Sequence, residues 1–315
     1  MTKHEYQEIA SAIFYNDWDE LSTIEAGKFT ISQFQSAAFD SNYKCYKVLW
    51  TELTPGANIL IVNKKTRSMV AKIEKSTEEQ ILKLLSQKGF PVPKIEAILR
   101  TPNGKALIFL EMLPGEELYS HTDESSWICA AMTLSQIHRE FLTANTSINA
   151  TIPFSNRTAD KLHQARLNTA HNTLWTAYMD AVSQRFSIAP KTLIHGDMFP
   201  TNILVHRGSC KFIDWENAGI SPYMMDIGRL TAIIDERTLR PMCPYSNKVI
   251  QAYYEKMAPV LRISYNDYLN DIYMAQFVEL ANWYSPPNSY WYNKDYNQRI
   301  KQAITEIVNG YFKTT

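Results

Sequence analysis

Leu193-Ile194-His195-Gly196-Asp197-Met198-Phe199-Pro200-Thr201-Asn202-Ile203-Leu204-Val205, a turn at Arg207-Gly208 and then Lys211-Phe212-Ile213-Asp214-Trp215-Glu216 decide how this chain is read. Short apolar runs rich in β-branched residues flank the turn, which predicts a β-hairpin around Thr192 to Ile213. A hairpin doubles the chain back. Asn202 and Asp214 therefore return beside each other at the strand ends, with Asp197 on the loop before them. Two carboxylates and a carboxamide so placed suit phosphoryl transfer from a magnesium-bound nucleotide, which asks for positioning and charge neutralisation more than for covalent chemistry. One carboxylate meets the incoming hydroxyl, while an amide oxygen and a second carboxylate hold magnesium, a hard cation that takes oxygen ligands.

Toward the N-terminus the pattern favours strands. Lys28 to Ser36, Cys45 to Leu53, Ile59 to Val62 and Met69 to Glu74 are short, rich in aromatic or β-branched residues, and separated by Pro-Gly and Asn-Lys-Lys, so a mostly antiparallel sheet is expected. One helix interrupts it. Ser76-Thr77-Glu78-Glu79 reads as an N-cap with acidic first-turn residues, Ile81, Leu82, Leu84 and Leu85 repeat at helical spacing, and Lys88-Gly89 ends the run before Pro91 and Pro93. After Gly115 the periodicity turns helical. Trp127, Ala131, Leu134, Ile137, His138 and Phe141 mark one face of a helix from about Ser125 to Leu142, Ala159 to Arg185 reads as another, and helices follow the hairpin to the end. The expected fold is α+β, with a small β lobe over residues 1–113, a hinge at 110–115 and a larger helical lobe over 114–315.

Composition narrows the function classes. Thirty-two Lys plus Arg balance 32 Asp plus Glu, so no total charge points to nucleic acid or an anionic membrane. Cys45, Cys129, Cys210 and Cys243 lie far apart without ligand spacing, which argues against a disulfide scaffold or a structural zinc site. No apolar run approaches the roughly 20 residues that cross a bilayer. The first residues lack the pattern of a secretory signal, and a cytosolic protein without membrane insertion is expected.

HGDMFPTN and FIDWE resemble the aminoglycoside phosphotransferase and choline kinase-like family, which has the protein-kinase-like fold. The resemblance extends from about residue 68 to 230. It implies an ATP- and magnesium-dependent kinase in which Asp197 is the catalytic base, Asn202 and Asp214 are the metal ligands, and His195 is a structural residue of the loop. Met69-Val70-Ala71-Lys72 is similar to the strand whose lysine reaches the α/β-phosphates. Glu79 is the acid implied to pair with Lys72, with Glu78 next in line; both acids also suit the positive end of the helix dipole. Leu107 to Gly115 is similar to the hinge, where backbone groups of Glu111 and Leu113 would bind adenine. Tyr223 to Gly228 resembles the segment whose aspartate, here Asp226, buttresses the catalytic loop, and His138 is read as a packed structural histidine. One part departs from the pattern: the glycine-rich loop implied near residues 25 to 36 has a single glycine, Gly27, leaving Lys28, Thr30 or Ser32 as side chains for phosphate.

The implied acceptor is a hydroxyl-bearing small molecule, selected by residues 231–315. That stretch holds five Lys, four Arg and eight Asp plus Glu, a balance that mildly disfavours a polycationic aminoglycoside. From Tyr253 to Tyr296, 12 of 44 residues are aromatic, a density that suits cation–π binding of a quaternary ammonium, a sugar platform or plain helix packing. Trp283 and Tyr284 are the leading acceptor-binding candidates, with Asp235, Glu236, Asp271 and Glu279 as acidic contacts. A choline-like amino alcohol is thus slightly favoured over an aminoglycoside, thiamine or a sugar. A non-catalytic nucleotide-binding regulator is the reading from another class. A kinase of protein side chains ranks last, because IDWENAG continues without a DFG…APE activation segment.

Overall fold

A computed structural model of the chain describes residues 28–36, 45–53, 65–73, 77–100, 106–143, 152–284 and 293–314. The chain divides into two compact units, Met1–Pro114 and Gly115–Thr315. In the first, β1 (Lys28–Ser36), β2 (Cys45–Leu53), β3 (Lys65–Ile73), β4 (Ile95–Arg100) and β5 (Ala106–Glu111) form one antiparallel sheet in the order β1-β2-β3-β5-β4. The strand carrying Lys72 is therefore flanked on both sides and is not an edge. It also begins at Lys65, four residues before the expected Met69. Residues 28–36, where the resemblance implies a phosphate loop, are the strand β1 itself. The link from it to β2, residues 37–44, lies outside the described residues, as does the expected strand Ile59 to Val62. Helix α1 (Glu78–Gln87) buries Ile81, Leu82 and Leu85, and stops where Gly89 takes φ +77.

The second unit is mainly helical. Helix α2 (Glu124–Thr143) turns Trp127, Ala130, Ala131, Leu134 and Ile137 fully inward, the face its 3.6-residue spacing predicts. It packs on α6 (Ser246–Leu261) through Val249, Tyr253 and Met257. Each such apolar side chain contributes about 1.5–3 kcal/mol on burial. The single helix expected over Ala159 to Arg185 is two, α3 (Asn156–Thr169) and α4 (Thr173–Ile188). Asn172 breaks the run because its side chain accepts the Trp175 N–H and starts a new helix. A short β6 (Glu116–Glu117) pairs with β8 (Ile203–His206), which forms the hairpin with β9 (Ser209–Phe212). Arg207 and Gly208 both have positive φ in its turn, as a two-residue hairpin loop of right-handed twist demands. The hairpin is shorter than expected: β7 (Lys191–Ile194) pairs instead with β10 (Gly219–Pro222). Helices α5 (Met224–Ala232), α7 (Tyr265–Trp283) and α8 (Lys294–Thr314) complete the unit. Among the described residues no helix is long and apolar enough to cross a membrane.

Candidate active site

Strand β7 delivers the chain to His195, and Asp226 on α5 fastens the loop that begins there. The Asp226 carboxylate accepts the backbone N–H of His195 at 2.6 Å and of Gly196 at 2.9 Å, and stands 3.2 Å from His138 Nε2. Burial pushes the Asp226 carboxyl up, but the His138 hydrogen bond and the nearby histidines and amides outweigh it and hold the pKa below its ordinary value. His195 accepts the Asp197 N–H at Nδ1, so its proton sits on Nε2 and is donated to the Ile213 carbonyl at 2.8 Å. The imidazole thereby ties the loop to the residue before Asp214. Gly196 has φ +79, and a Cβ there would lie 2.1 Å from the Asn217 carbonyl oxygen, so no other residue fits.

The hairpin sets the remaining two oxygens. The Asn202 carbonyl accepts the Ile213 N–H at 3.0 Å, which closes the strands one residue short of Asp214. Asn202 Nδ2 donates to the Asp197 carbonyl at 2.9 Å, so its amide oxygen is turned away from that bond. Asp214 is held in the left-handed region at φ 66, ψ 61, a conformation non-glycine residues avoid unless their surroundings impose it. Glu216, buried in the following turn, places a carboxylate oxygen within 4.8 Å of one from Asp214. Two carboxylates this close, with the Asn202 amide across the strand end, are oxygen donors of the kind a hard divalent cation takes.

Charge under the loop comes from residues that sequence reasoning passed over. Gly228 on α5 faces Ala275 on α7 so closely that a Cβ would meet the alanine Cβ at 2.5 Å. That close approach lets the next residue, Arg229, reach Glu279 one turn beyond Ala275. Arg229 donates one Nη to Glu279 and the other to Asp197 Oδ1, both at 2.5 Å, and its guanidinium lies 4.3 Å over the Phe199 ring. Glu279 also takes Lys161 Nζ at 2.6 Å, and Lys161 donates on to the Gly196 carbonyl at 3.3 Å. All three of Arg229, Glu279 and Lys161 are buried, so loop, α5, α7 and α3 close a ring of alternating charge. Burial raises the Glu279 carboxyl, but Lys161 and Arg229 together overcome this and hold it below its ordinary range. For Lys161 burial prevails over Glu279, and its pKa is lowered. Glu279, expected as an acceptor contact, is instead the counter-ion of this ring. Both bonds to it span 50 or more residues, and no local pattern announces them.

Asp197 itself keeps one oxygen clear of these contacts. Arg229 and, at 3.8 Å, Arg157 face Oδ1, and Oδ2 has no partner among the described residues. Of the acceptor candidates, Trp283 stands beside the loop with its ring edge-on to Phe199 at 6.1 Å, whereas Tyr284 stacks on His171 at 5.8 Å and meets the Trp175 edge. Asp271 is taken by Arg185 and the Tyr223 hydroxyl. Asp235 accepts the backbone N–H groups of Arg237 and Thr238, and Glu236 accepts from Asn293. In the first unit Glu79 accepts Lys83 Nζ at 2.6 Å, while Glu78 is the fully buried acid; the Lys72 side chain lies outside the described residues. At the end of β5 the Glu111 N–H donates to the Lys94 carbonyl, and Leu113 is buried two residues on.

The model of the family described as the phosphotransferase enzyme family matches residues 53–259, well over half of the chain and the whole of this loop and hairpin. The chain belongs to that family. Solved structures of phosphotransferases share its fold. The amicoumacin kinase hAmiN in complex with AMP-PNP, Ca2+ and Ami superposes with a TM-score of 0.65 at 15% identity, over 96% of each chain. The GDP complex of a point mutant of the aminoglycoside 2'-phosphotransferase-IIIa gives 0.58 at 16% identity over 99% of each chain. A choline/ethanolamine kinase family protein from Mesorhizobium loti gives 0.55 at 12% identity, over 92% of this chain and 96% of that one. At such identities the likeness carries the two-lobed kinase-like α+β fold and no more. A search of curated proteins found no match.

Proposed function

We propose that this phosphotransferase moves the γ-phosphoryl group of ATP to a hydroxyl of a small molecule. The observation that carries the reading is the state of Asp197: one carboxylate oxygen anchored by a buried guanidinium, the other open, with Asn202 and Asp214 brought to the same loop by one hairpin. The acceptor hydroxyl would donate to Oδ2, its oxygen would bond to the γ-phosphorus as the bond to the β-phosphate oxygen breaks, and its proton would pass to Asp197. Asn202 and Asp214, with Glu216 beside them, are the residues that would hold magnesium. The ion's contribution when bound is to neutralise charge on the phosphates. The first unit is assigned the nucleotide, with backbone groups of Glu111 and Leu113 for adenine and Lys72 with Glu79 for the α/β-phosphates. The buried Glu78 is the alternative acid.

ADP release measured over amino alcohols, aminoglycosides, thiamine and sugars tests this. Asp197→Ala is expected to lose turnover by at least about 10²-fold while still binding nucleotide, and Asp214→Ala to weaken Mg·ATP. Wild-type ATP consumption by purified Asp197→Ala would remove Asp197 from the reaction, and a wild-type protein that binds nucleotide but never turns it over would favour the regulatory reading. The choline-like acceptor loses support from packing. Tyr253, Tyr268 and Phe277 are buried in the helical core, Tyr284 turns to His171, and Tyr290, Trp291 and Tyr292 lie outside the described residues. Tyr265 and Tyr273 stay 38% and 41% exposed, and Trp283, 41% exposed and set against Phe199 of the loop, is the one of these three kept for the acceptor.

A further inference from the structure

Arg157 stands at the start of α3 with its side chain 42% exposed, and Asp197 is its one ion-pair partner among the described residues. Asp197 already has a buried guanidinium, Arg229, on the same oxygen. The second arginine is therefore surplus to anchoring the base, and it leaves a part-exposed cation beside the carboxylate to which the hydroxyl must come. The four carboxylates expected as acceptor contacts are committed elsewhere: Glu279 to Lys161 and Arg229, Asp271 to Arg185 and Tyr223, Asp235 to its own turn, Glu236 to Asn293. Residues 144–151 and 285–292 contain no Asp or Glu, so they add no such charge to the second unit. Beside this corner stand the Phe199 ring and the part-exposed Trp283, an apolar wall.

Building on the kinase reading above, we propose that the acceptor carries an anionic group, a carboxylate or phosphate, next to the hydroxyl it offers to Asp197, and that Arg157 binds that group. An arriving hydroxyl draws on the carboxylate against which Arg157 rests. A guanidinium displaced from that contact keeps an ion pair only if the ligand brings an anion. An ammonium in the same position meets like charge from Arg157 and Arg229, which selects against amino alcohols by repulsion as well as by missing contacts.

ADP release with glycerate, glycerol and ethanolamine as probe acceptors, in the wild type and in Arg157→Met, Arg157→Lys and Arg157→Glu, decides it. Wild type is expected to favour glycerate in kcat/KM by at least about tenfold over the other two. Arg157→Met should lose that preference through the KM for glycerate, Arg157→Lys should recover part of it, and Arg157→Glu should turn the preference toward ethanolamine. A rise in the KM for ATP in place of that for glycerate would assign Arg157 to the transferring phosphoryl and overturn the acceptor proposal. So would a wild type that turns over ATP without preferring glycerate, which leaves the kinase reading intact. A wild type that releases no ADP with these probes, with water, or with the amino alcohols, aminoglycosides, thiamine and sugars named above sinks the kinase reading on which this rests.

Discussion

Asp226 and Glu279 are both about 1% exposed and both steady the loop that carries Asp197, by different means. Asp226 gathers two backbone N–H groups and an imidazole, while Glu279 lies between the full cations Lys161 and Arg229. A carboxylate held by backbone amides fixes the path of the chain. One held by cations fixes where charge sits, because Arg229 passes the constraint on to Asp197 Oδ1 and Lys161 passes it to the Gly196 carbonyl. The loop thus has a geometric anchor on α5 and an electrostatic anchor that joins α5, α7 and α3.

Removing each anchor separates the two. Glu279→Ala strands two buried cations, and breaking a buried pair in this way costs about 3–5 kcal/mol. Asp226→Ala strands two buried N–H groups at about 1–3 kcal/mol each, a comparable loss spread over the His195-Gly196 backbone. Urea unfolding monitored by tryptophan fluorescence measures both. The sharper arm is the pair Lys161→Met with Glu279→Met, which takes away charge from both partners and should cost clearly less than the sum of the single changes. Additive losses would mean that the ring is four unrelated contacts.

Acid is the next largest probe. Both carboxyls titrate below their ordinary values of 3.8 and 4.5 in the folded protein. The stability they contribute is complete above about pH 4.5, and it is lost as pH falls through the lower folded values. Urea midpoints from pH 6 down to 3 should therefore fall steeply for wild type and less steeply for Asp226→Asn or Glu279→Gln. Lys161 works in the opposite sense, since a lysine whose pKa is lowered by folding favours the folded state as pH rises. An acid limb equally steep in both variants would detach these carboxyls from the stability of the unit.

The two anchors also differ in how far the amino-acid sequence reveals them. Asp226 sits 31 residues after His195 within a motif, Tyr223 to Gly228, that resembles its family counterpart, and the HGD loop and hairpin are as local. Strand and helix spans were legible for the same reason: periodicity is a property of neighbours. Glu279 is legible only as an acid on a helix, because its meaning comes from Lys161, 118 residues away, and from a close approach that Gly228 permits. The aromatic density after Tyr253 left packing and binding both open for a related reason. Tyr253 and Tyr268 stack on each other at 6.3 Å, and Tyr223 on Tyr268 at 6.4 Å, so these rings line the core, and a pattern rich in tyrosine cannot tell core from cage.

The smallest expected effect tests how far the geometric anchor extends. Tyr253 on α6 brings its hydroxyl to 2.6 Å from His138 Nδ1, and His138 Nε2 faces Asp226 at 3.2 Å. A tyrosine donating to Nδ1 leaves the imidazole proton on Nε2, where Asp226 accepts it, so the hydroxyl orients the histidine that orients the carboxylate. Tyr253→Phe keeps the ring, its stacking on Tyr268 and the shape of the core, and removes that one donor. The expected loss is about 1 kcal/mol in urea unfolding, the worth of a single buried hydrogen bond. In an Asp226→Asn background the same change should cost less, since the histidine no longer has a carboxylate to serve. An unchanged cost there would end the anchor at His138 and leave the Tyr253 hydroxyl as a packing contact with Tyr223 and its neighbours.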